Sequence, residues 1–217
     1  MKYDLCVFDL DGTLVDTIAD ISAAVNAALA QLGYPEKSES EIATIVGHSA
    51  VYMCQHALPP EHMDKWQILL QEYTRYYRQN CCNLSRPYEG ILPVLNALRL
   101  AGVKMSVVSN KPHAQAVKVL TTLFPKDCFS LILGQMDKFR VKPDPMSLCF
   151  VLDYLGIPSE RAVYVGDSDV DVVFANNAGV DCIAVSWGLR SRQVLESAGA
   201  PCIIDDAGEL VEKVLHE

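Results

Sequence analysis

The 217-residue sequence has no apolar run approaching the ~20 residues of a membrane helix, no positively charged leader ahead of an apolar segment, no internal repeat and no low-complexity tract. Those absences argue against a membrane-spanning chain, a solenoid and a disordered chain, and they predict a soluble, cytoplasmic protein. Positive charge is also scarce, since 18 Lys and Arg face 27 Asp and Glu for a net charge of −9. Such a chain has no electrostatic footprint for nucleic acid or anionic membranes. A phosphate-bearing ligand would have to be held by local cations against the global field. Cysteines at redox or metal spacing are missing too: none of the eight forms a Cys-x-x-Cys pair, and the adjacent Cys81 and Cys82 cannot easily bridge. Cys6, Cys149 and Cys182 lie inside apolar runs, so reduced thiols are expected.

What is present is the composition of a globular protein, half apolar and 21% charged. The length suits one good-sized domain, or a core domain with a smaller one attached. Strand-like apolar runs recur at 5–10, 103–109, 131–134, 162–166, 182–186 and 202–204. From residue 86 onward they alternate with helical patterns. One of these, Ile91–Leu100, stops at Ala101-Gly102, and another follows Asp144-Pro145, with Asp as cap and Pro in the first turn. Alternation of this kind predicts an α/β fold, a parallel sheet covered by helices on both faces.

Residues 17–82 break the rhythm. Ile21, Val25, Leu29 and Leu32 recur at helical spacing up to Gly33, and 61–80 reads as one long helix whose Trp66, Tyr73, Tyr76 and Tyr77 suggest packing. The chain is therefore expected to hold a helical cap domain, residues 16–83, inserted after the first strand of a core made of 1–15 and 84–217.

Chemistry concentrates at the ends of the apolar runs. Phe8-Asp9-Leu10-Asp11-Gly12-Thr13 follows Leu5-Cys6-Val7, which puts Asp9 and Asp11 at the carboxyl end of a buried strand. Open α/β sheets bind ligands there. Two carboxylates two residues apart can share a metal ion while one serves as nucleophile and the other as acid and base. Acidic turn residues also occur for solubility alone, and a calcium loop is a further reading. The calcium loop fails because Gly12 falls at the fourth loop position instead of the sixth, behind a strand instead of a helix.

Ser109-Asn110 follows Val107-Val108 and can hold an anionic oxygen, while Lys142 lies between prolines in Val141-Lys142-Pro143-Asp144-Pro145. Gly166-Asp167-Ser168-Asp169-Val170-Asp171 carries three alternating carboxylates into a helix. Val172 and Ala178 stand where a calcium loop needs its Gly and its bidentate Glu. Asp167 and Asp171 can instead face one hard cation.

The order of acidic pair, Ser, Lys and acidic cluster resembles the haloacid dehalogenase superfamily over nearly the whole chain, through Asp9-x-Asp11-Gly12-Thr13, Ser109, Lys142 and Gly166-Asp167-Ser168-x-x-Asp171. Such a fold is a Rossmann-like core with a helical cap. Within the superfamily the chain is similar to the phosphoglycolate phosphatase group, through Leu14-Val15-Asp16-Thr17, Asp20, the stretch 23–29, Val46-Gly47-His48 and Ser109-Asn110-Lys111-Pro112.

The resemblance implies a Mg2+-dependent phosphatase acting on a small phosphorylated metabolite, with 2-phosphoglycolate foremost. Asp9 is then the nucleophile that forms an aspartyl phosphate, Asp11 the acid and base, and Ser109 and Lys142 the groups holding the phosphoryl oxygens. Mg2+ falls to Asp9, the Asp11 main-chain carbonyl and Asp167, with Asp171, Gly12, Thr13, Gly166 and Ser168 in support. Thr17, Gly47, His48 and Asn110 join Ser109 and Lys142 in substrate binding. Inorganic pyrophosphatase and sugar-phosphate phosphatase remain open. A phosphomutase of the β-phosphoglucomutase type is disfavoured by Asp20 and Ile21 where its cap His belongs. A phosphoacceptor receiver module is disfavoured by chain length and by Lys142 preceding Asp167, and the dehalogenases are disfavoured by Asp11. Nothing in the sequence points to an oligomeric state.

Overall fold

The computed structural model describes residues 2–216. Its centre is a six-stranded, all-parallel sheet in the order β5-β4-β1-β6-β7-β8, built from β1 (Leu5–Phe8), β4 (Lys104–Pro112), β5 (Leu131–Gln135), β6 (Ala162–Gly166), β7 (Asp181–Val185) and β8 (Ile203–Ile204). The chain builds outward from β1 on one side through β4 and β5, then returns to the other side for β6. The crevice at this reversal is where such sheets take ligands. Register aligns the strand ends, because Phe8 lies opposite both Val107 and Val165. The residues just beyond those three therefore emerge at one edge.

Side-chain alternation buries each central strand on both faces, as a parallel sheet requires. Cys6 and Phe8 join Met105, Val107, Val163 and Val165 in one core cluster, while Leu5 and Val7 join Val108, Ala162 and Tyr164 in the other. Helices α5 (Ile91–Leu100), α6 (His113–Leu123) and α10 (Glu209–Leu215) cover the first face, and α7 (Met146–Leu155), α8 (Asp169–Asn177) and α9 (Arg192–Ser197) the second. The α7 boundary differs by one residue from the sequence reading. Pro145 stands just outside the helix, and the Asp144 carboxylate accepts from the Met146 N–H at 3.1 Å. Cys149 turns to the exposed side of α7, not to the core, and all eight cysteines are free.

Helices α1 (Ile18–Gln31), α2 (Glu39–Ile45), α3 (Ala50–Ala57) and α4 (Trp66–Asn80) form the helical cap. Two short strands, β2 (Val15–Asp16) and β3 (Arg86–Pro87), pair antiparallel where the chain leaves the core and where it returns. The apolar stripe Ile21, Ala24, Val25, Ala28, Leu29 of α1 packs with Leu69, Tyr73 and Tyr77 of α4. The expected single helix over 61–80 is instead a 3-10 turn, Pro60–Lys65, followed by α4. No side chain of that turn is buried, so no packing imposes α geometry on it.

Asp20 holds the junction between cap and core. Its buried carboxylate leaves α1 and accepts from the Leu84 N–H at 3.0 Å, the Ser85 N–H at 2.8 Å and the Ser85 hydroxyl at 2.7 Å, just ahead of β3. Asp20→Ala removes a charged acceptor from three donors and is expected to destabilise the fold by about 2–4 kcal/mol. Urea unfolding checks this, and a loss below about 0.5 kcal/mol would show that the junction does not depend on Asp20.

Candidate active site

The carboxyl ends of β1, β4 and β6 gather Asp9, Asp11, Ser109, Asp167 and Asp171, and the loop before α7 brings Lys142 to them. All six are buried. The Lys142 ammonium lies 3.0 Å from Asp9 Oδ2 and 2.6 Å from Asp171 Oδ1. It also donates to the Tyr164 hydroxyl at 2.9 Å, which in turn donates to the Val108 carbonyl at 3.0 Å. Burial disfavours the Lys142 charge, but Asp171 and Asp9 overcome that penalty and hold its pKa above the usual range.

Asp171 is fully engaged. Its Oδ1 takes Lys142, and its Oδ2 takes the Ser168 N–H at 3.1 Å and hydroxyl at 2.6 Å in the capping box that opens α8. Of the three alternating acids, Asp169 is partly exposed and 3.8 Å from Arg190. Asp167 accepts from the Thr13 hydroxyl and the Leu189 N–H, each at 2.8 Å. Glycines allow the backbone to close on these acids. Gly12 has φ +88°, and a Cβ there would collide with the Asp167 carboxylate, as would one at Gly188; a Cβ at Gly166 would strike Asp171.

The donor set fits a hard divalent cation. Asp9, Asp167 and Asp171 offer carboxylate oxygens that all lie within 4.8 Å of one another. Asp9 Oδ1 is buried with no hydrogen-bond partner among the described residues. With all four buried carboxyl groups ionised, the two buried ammonium groups of Lys111 and Lys142 would leave an excess of two negative charges. The strain shows in the acids: burial, then the Lys142 attraction working against Asp171 and Asp11, leaves Asp9 raised to about 6. Burial, with Asp171 and Asp9 adding to it, raises Asp167 to about 8.

Asp11 faces a second group of partners. Its Oδ1 accepts from the Thr17 hydroxyl at 2.7 Å and from Lys111 Nζ at 2.8 Å, and the Lys111 ammonium stands 4.6 Å from the centre of the Tyr77 ring. A cavity of about 40 Å³ opens over Asp9 and Asp11, walled by Ile21, Val46, Gly47, Met53, Tyr73, Ser109, Asn110 and Lys111 among others. Asn110 serves as a tie: its amide donates to the Gly47 carbonyl at 3.1 Å and accepts from the Lys142 N–H at 2.7 Å. The His48 ring lies tilted at 45° against Tyr52, centroids 4.3 Å apart, and His48, like Thr17, lies outside that wall.

Several participants carry no role in the sequence reading. Lys111 is one, although a lysine inside the buried stretch 105–111 is itself a signal. Tyr164 and Gly188 are others. Arg190 donates to the carbonyls of Ala43, Thr44 and Val46 at 2.7, 3.3 and 2.6 Å, so a core cation closes the carboxyl end of α2.

Comparison with known proteins matches residues 6–185 to the haloacid dehalogenase-like hydrolase family. A phosphoglycolate phosphatase of Pseudomonas savastanoi pv. phaseolicola is 33% identical over 95% of this chain and 78% of its own length. One from Haemophilus influenzae is 28% identical over 97% of both chains. A solved structure from Lactobacillus delbrueckii subsp. bulgaricus superposes with a TM-score of 0.92 at 33% identity, over the full length of both chains.

Asp9 and Asp167 are protonated to higher pH in the fold than the ordinary 3.8. Their contribution to the stability of the metal-free protein is thus complete below pH 3.8 and is lost as pH rises through about 6 and about 8. In chelator the melting temperature should fall between pH 5 and 8, and a divalent cation should raise it by several degrees more at pH 8 than at pH 5. Asp167→Asn should flatten both trends. Equal cation-induced shifts at the two pH values would contradict the assignment.

Proposed function

The chain belongs to the haloacid dehalogenase-like hydrolase family, and from that premise we propose that it is a Mg2+-dependent phosphatase of small phosphate monoesters, 2-phosphoglycolate foremost. The observation that carries this reading is the state of Asp9. One of its oxygens is fixed on Lys142 while the other is buried, without a hydrogen-bond partner among the described residues, and Asp9 lines the cavity. A desolvated carboxylate beside a cation is a competent nucleophile toward phosphorus.

In the proposed reaction, Asp9 attacks phosphorus and the ester oxygen departs, leaving an acyl phosphate on Asp9. Lys142 and the Ser109 hydroxyl hold the transferring oxygens, where negative charge is greatest. Asp11 gives its proton to the departing oxygen and then takes one from the water that hydrolyses the acyl phosphate. Thr17 and Lys111 both bond Oδ1, which leaves Asp11 Oδ2 for this exchange. Asp9, Asp167 and the Asp11 main-chain carbonyl would hold Mg2+, which would supply charge neutralisation at the phosphoryl group.

Residues 16–83 act in this reading as a cap domain over a core of 1–15 and 84–217, excluding water and limiting the leaving group. The small cavity and the apolar Ile21, Val46, Met53 and Tyr73 in its wall support a short leaving group. A hexose would bring hydroxyls that this wall leaves unpaired. The free state of all eight cysteines suits the reducing cytoplasm. Among the described residues no helix is long and apolar enough to cross a membrane.

A substrate panel with purified protein and Mg2+ tests the reading. The highest kcat/KM is expected for 2-phosphoglycolate, above pyrophosphate and β-glucose 1-phosphate. Asp9→Asn should lower turnover by about a thousandfold or more while the melting temperature stays within a few degrees. Highest efficiency with pyrophosphate or a hexose phosphate would overturn the substrate, and turnover by Asp9→Asn at the wild-type rate would overturn the nucleophile.

A further inference from the structure

Lys142 bears on the phosphoryl group through Asp9 and Asp171, but Lys111 does not. Its ammonium, brought in by the end of β4, meets Asp11 instead, the residue assigned to the departing oxygen. Lys142 beside Asp9 and Lys111 beside Asp11 thus mark a phosphoryl side and a leaving-group side of the site.

The protein groups around Lys111 satisfy its ammonium only in part. An ammonium has three N–H donors. Among the described residues Asp11 Oδ1 is its one hydrogen-bond acceptor, and the Tyr77 ring face takes up part of the remaining charge. The side chain is 2% exposed, so water offers little relief. Orientation of Asp11 does not require such an arrangement, because the Thr17 hydroxyl already bonds the same oxygen at 2.7 Å without burying a charge. Lys111 is also the one cationic side chain in the cavity wall among the described residues, a wall that includes the apolar Met53 and the Tyr73 ring.

We propose that Lys111 is the specificity-determining residue of the enzyme, its ammonium receiving a carboxylate borne on the leaving group close to the ester oxygen. The inference rests on the phosphatase reading and adds to it the residue that selects the substrate. A carboxylate there gives the two remaining N–H donors charge-assisted acceptors. The desolvation of Lys111 has already occurred in folding, so a matched ligand gains the full interaction. A neutral group of the same size leaves those donors unpaired and is rejected for that reason.

The test compares 2-phosphoglycolate with its neutral counterpart, 2-hydroxyethyl phosphate, using the full chain with Mg2+. Wild-type protein should favour the carboxylate in kcat/KM by about a hundredfold or more. Lys111→Gln should bring the ratio to within about threefold of unity, mainly through KM for 2-phosphoglycolate, and Lys111→Arg should keep most of it. Glycolate should inhibit the wild type competitively, and ethylene glycol should not. If Lys111 only orients Asp11, both esters slow together and the ratio survives in Lys111→Gln, which overturns the inference. Equal efficiency of the two esters in wild-type protein overturns it without any variant, while the phosphatase reading stands. Hydrolysis of no phosphate ester would overturn that reading itself.

Discussion

Four carboxylates brought into one nearly dry space are the constraint on which the rest of this structure depends. Asp9, Asp11, Asp167 and Asp171 are all buried, and only Lys111 and Lys142 are buried with them as counter-charges. Charges removed from water need close, well-aligned partners. The fold supplies them unequally. Asp171 has both oxygens satisfied, Asp167 has a hydroxyl and a backbone N–H, and Asp9 keeps one oxygen without a hydrogen-bond partner among the described residues. The site is settled where it must be rigid and unsatisfied where phosphorus and a cation would be met. The upward pKa shifts of Asp9 and Asp167 express that same imbalance.

The cap is tied to this charge cluster through backbone carbonyls. Asn110 bridges the Gly47 carbonyl to the backbone of Lys142, and Arg190 gathers the last carbonyls of α2. The residue next to the proposed phosphate-binding Ser109 therefore also fastens the cap, and both stand at the end of β4. Asp20 does the corresponding work at the base of the cap. Tyr73 and Tyr77 of α4 extend the core packing to the cavity wall and to Lys111, so a face that the sequence presents as packing also borders the cavity and its buried lysine.

The sheet was legible in the sequence because buried parallel strands are continuous apolar runs, and the acids stand where those runs stop. The capping box of Ser168 and Asp171 has a sequence signal, a Ser followed three residues later by an acid, which the reading of three alternating carboxylates passed over. The partnership of Lys111 was not legible, because Asp11 lies 100 residues away in sequence and Tyr77 belongs to the cap. Nor could the sequence show where the Thr17 hydroxyl turns, and the structure commits it to Asp11. The grip of Arg190 on α2 uses only backbone acceptors, which leave no trace in side-chain pattern. Helices α2 and α3, of seven and eight residues, are too short for periodicity to reveal.

The central claim is that Asp9 forms the bond to phosphorus. Rapid acid quench of the enzyme during turnover of 2-phosphoglycolate, followed by peptide mass analysis, tests it directly. The account predicts a gain of one phosphoryl group on the peptide containing Asp9, present within the first turnover and absent from Asp9→Asn protein. A phosphoryl group found on Ser109, Asp11 or Asp167 instead, or rapid turnover with no phosphorylated peptide at any quench time, would contradict it.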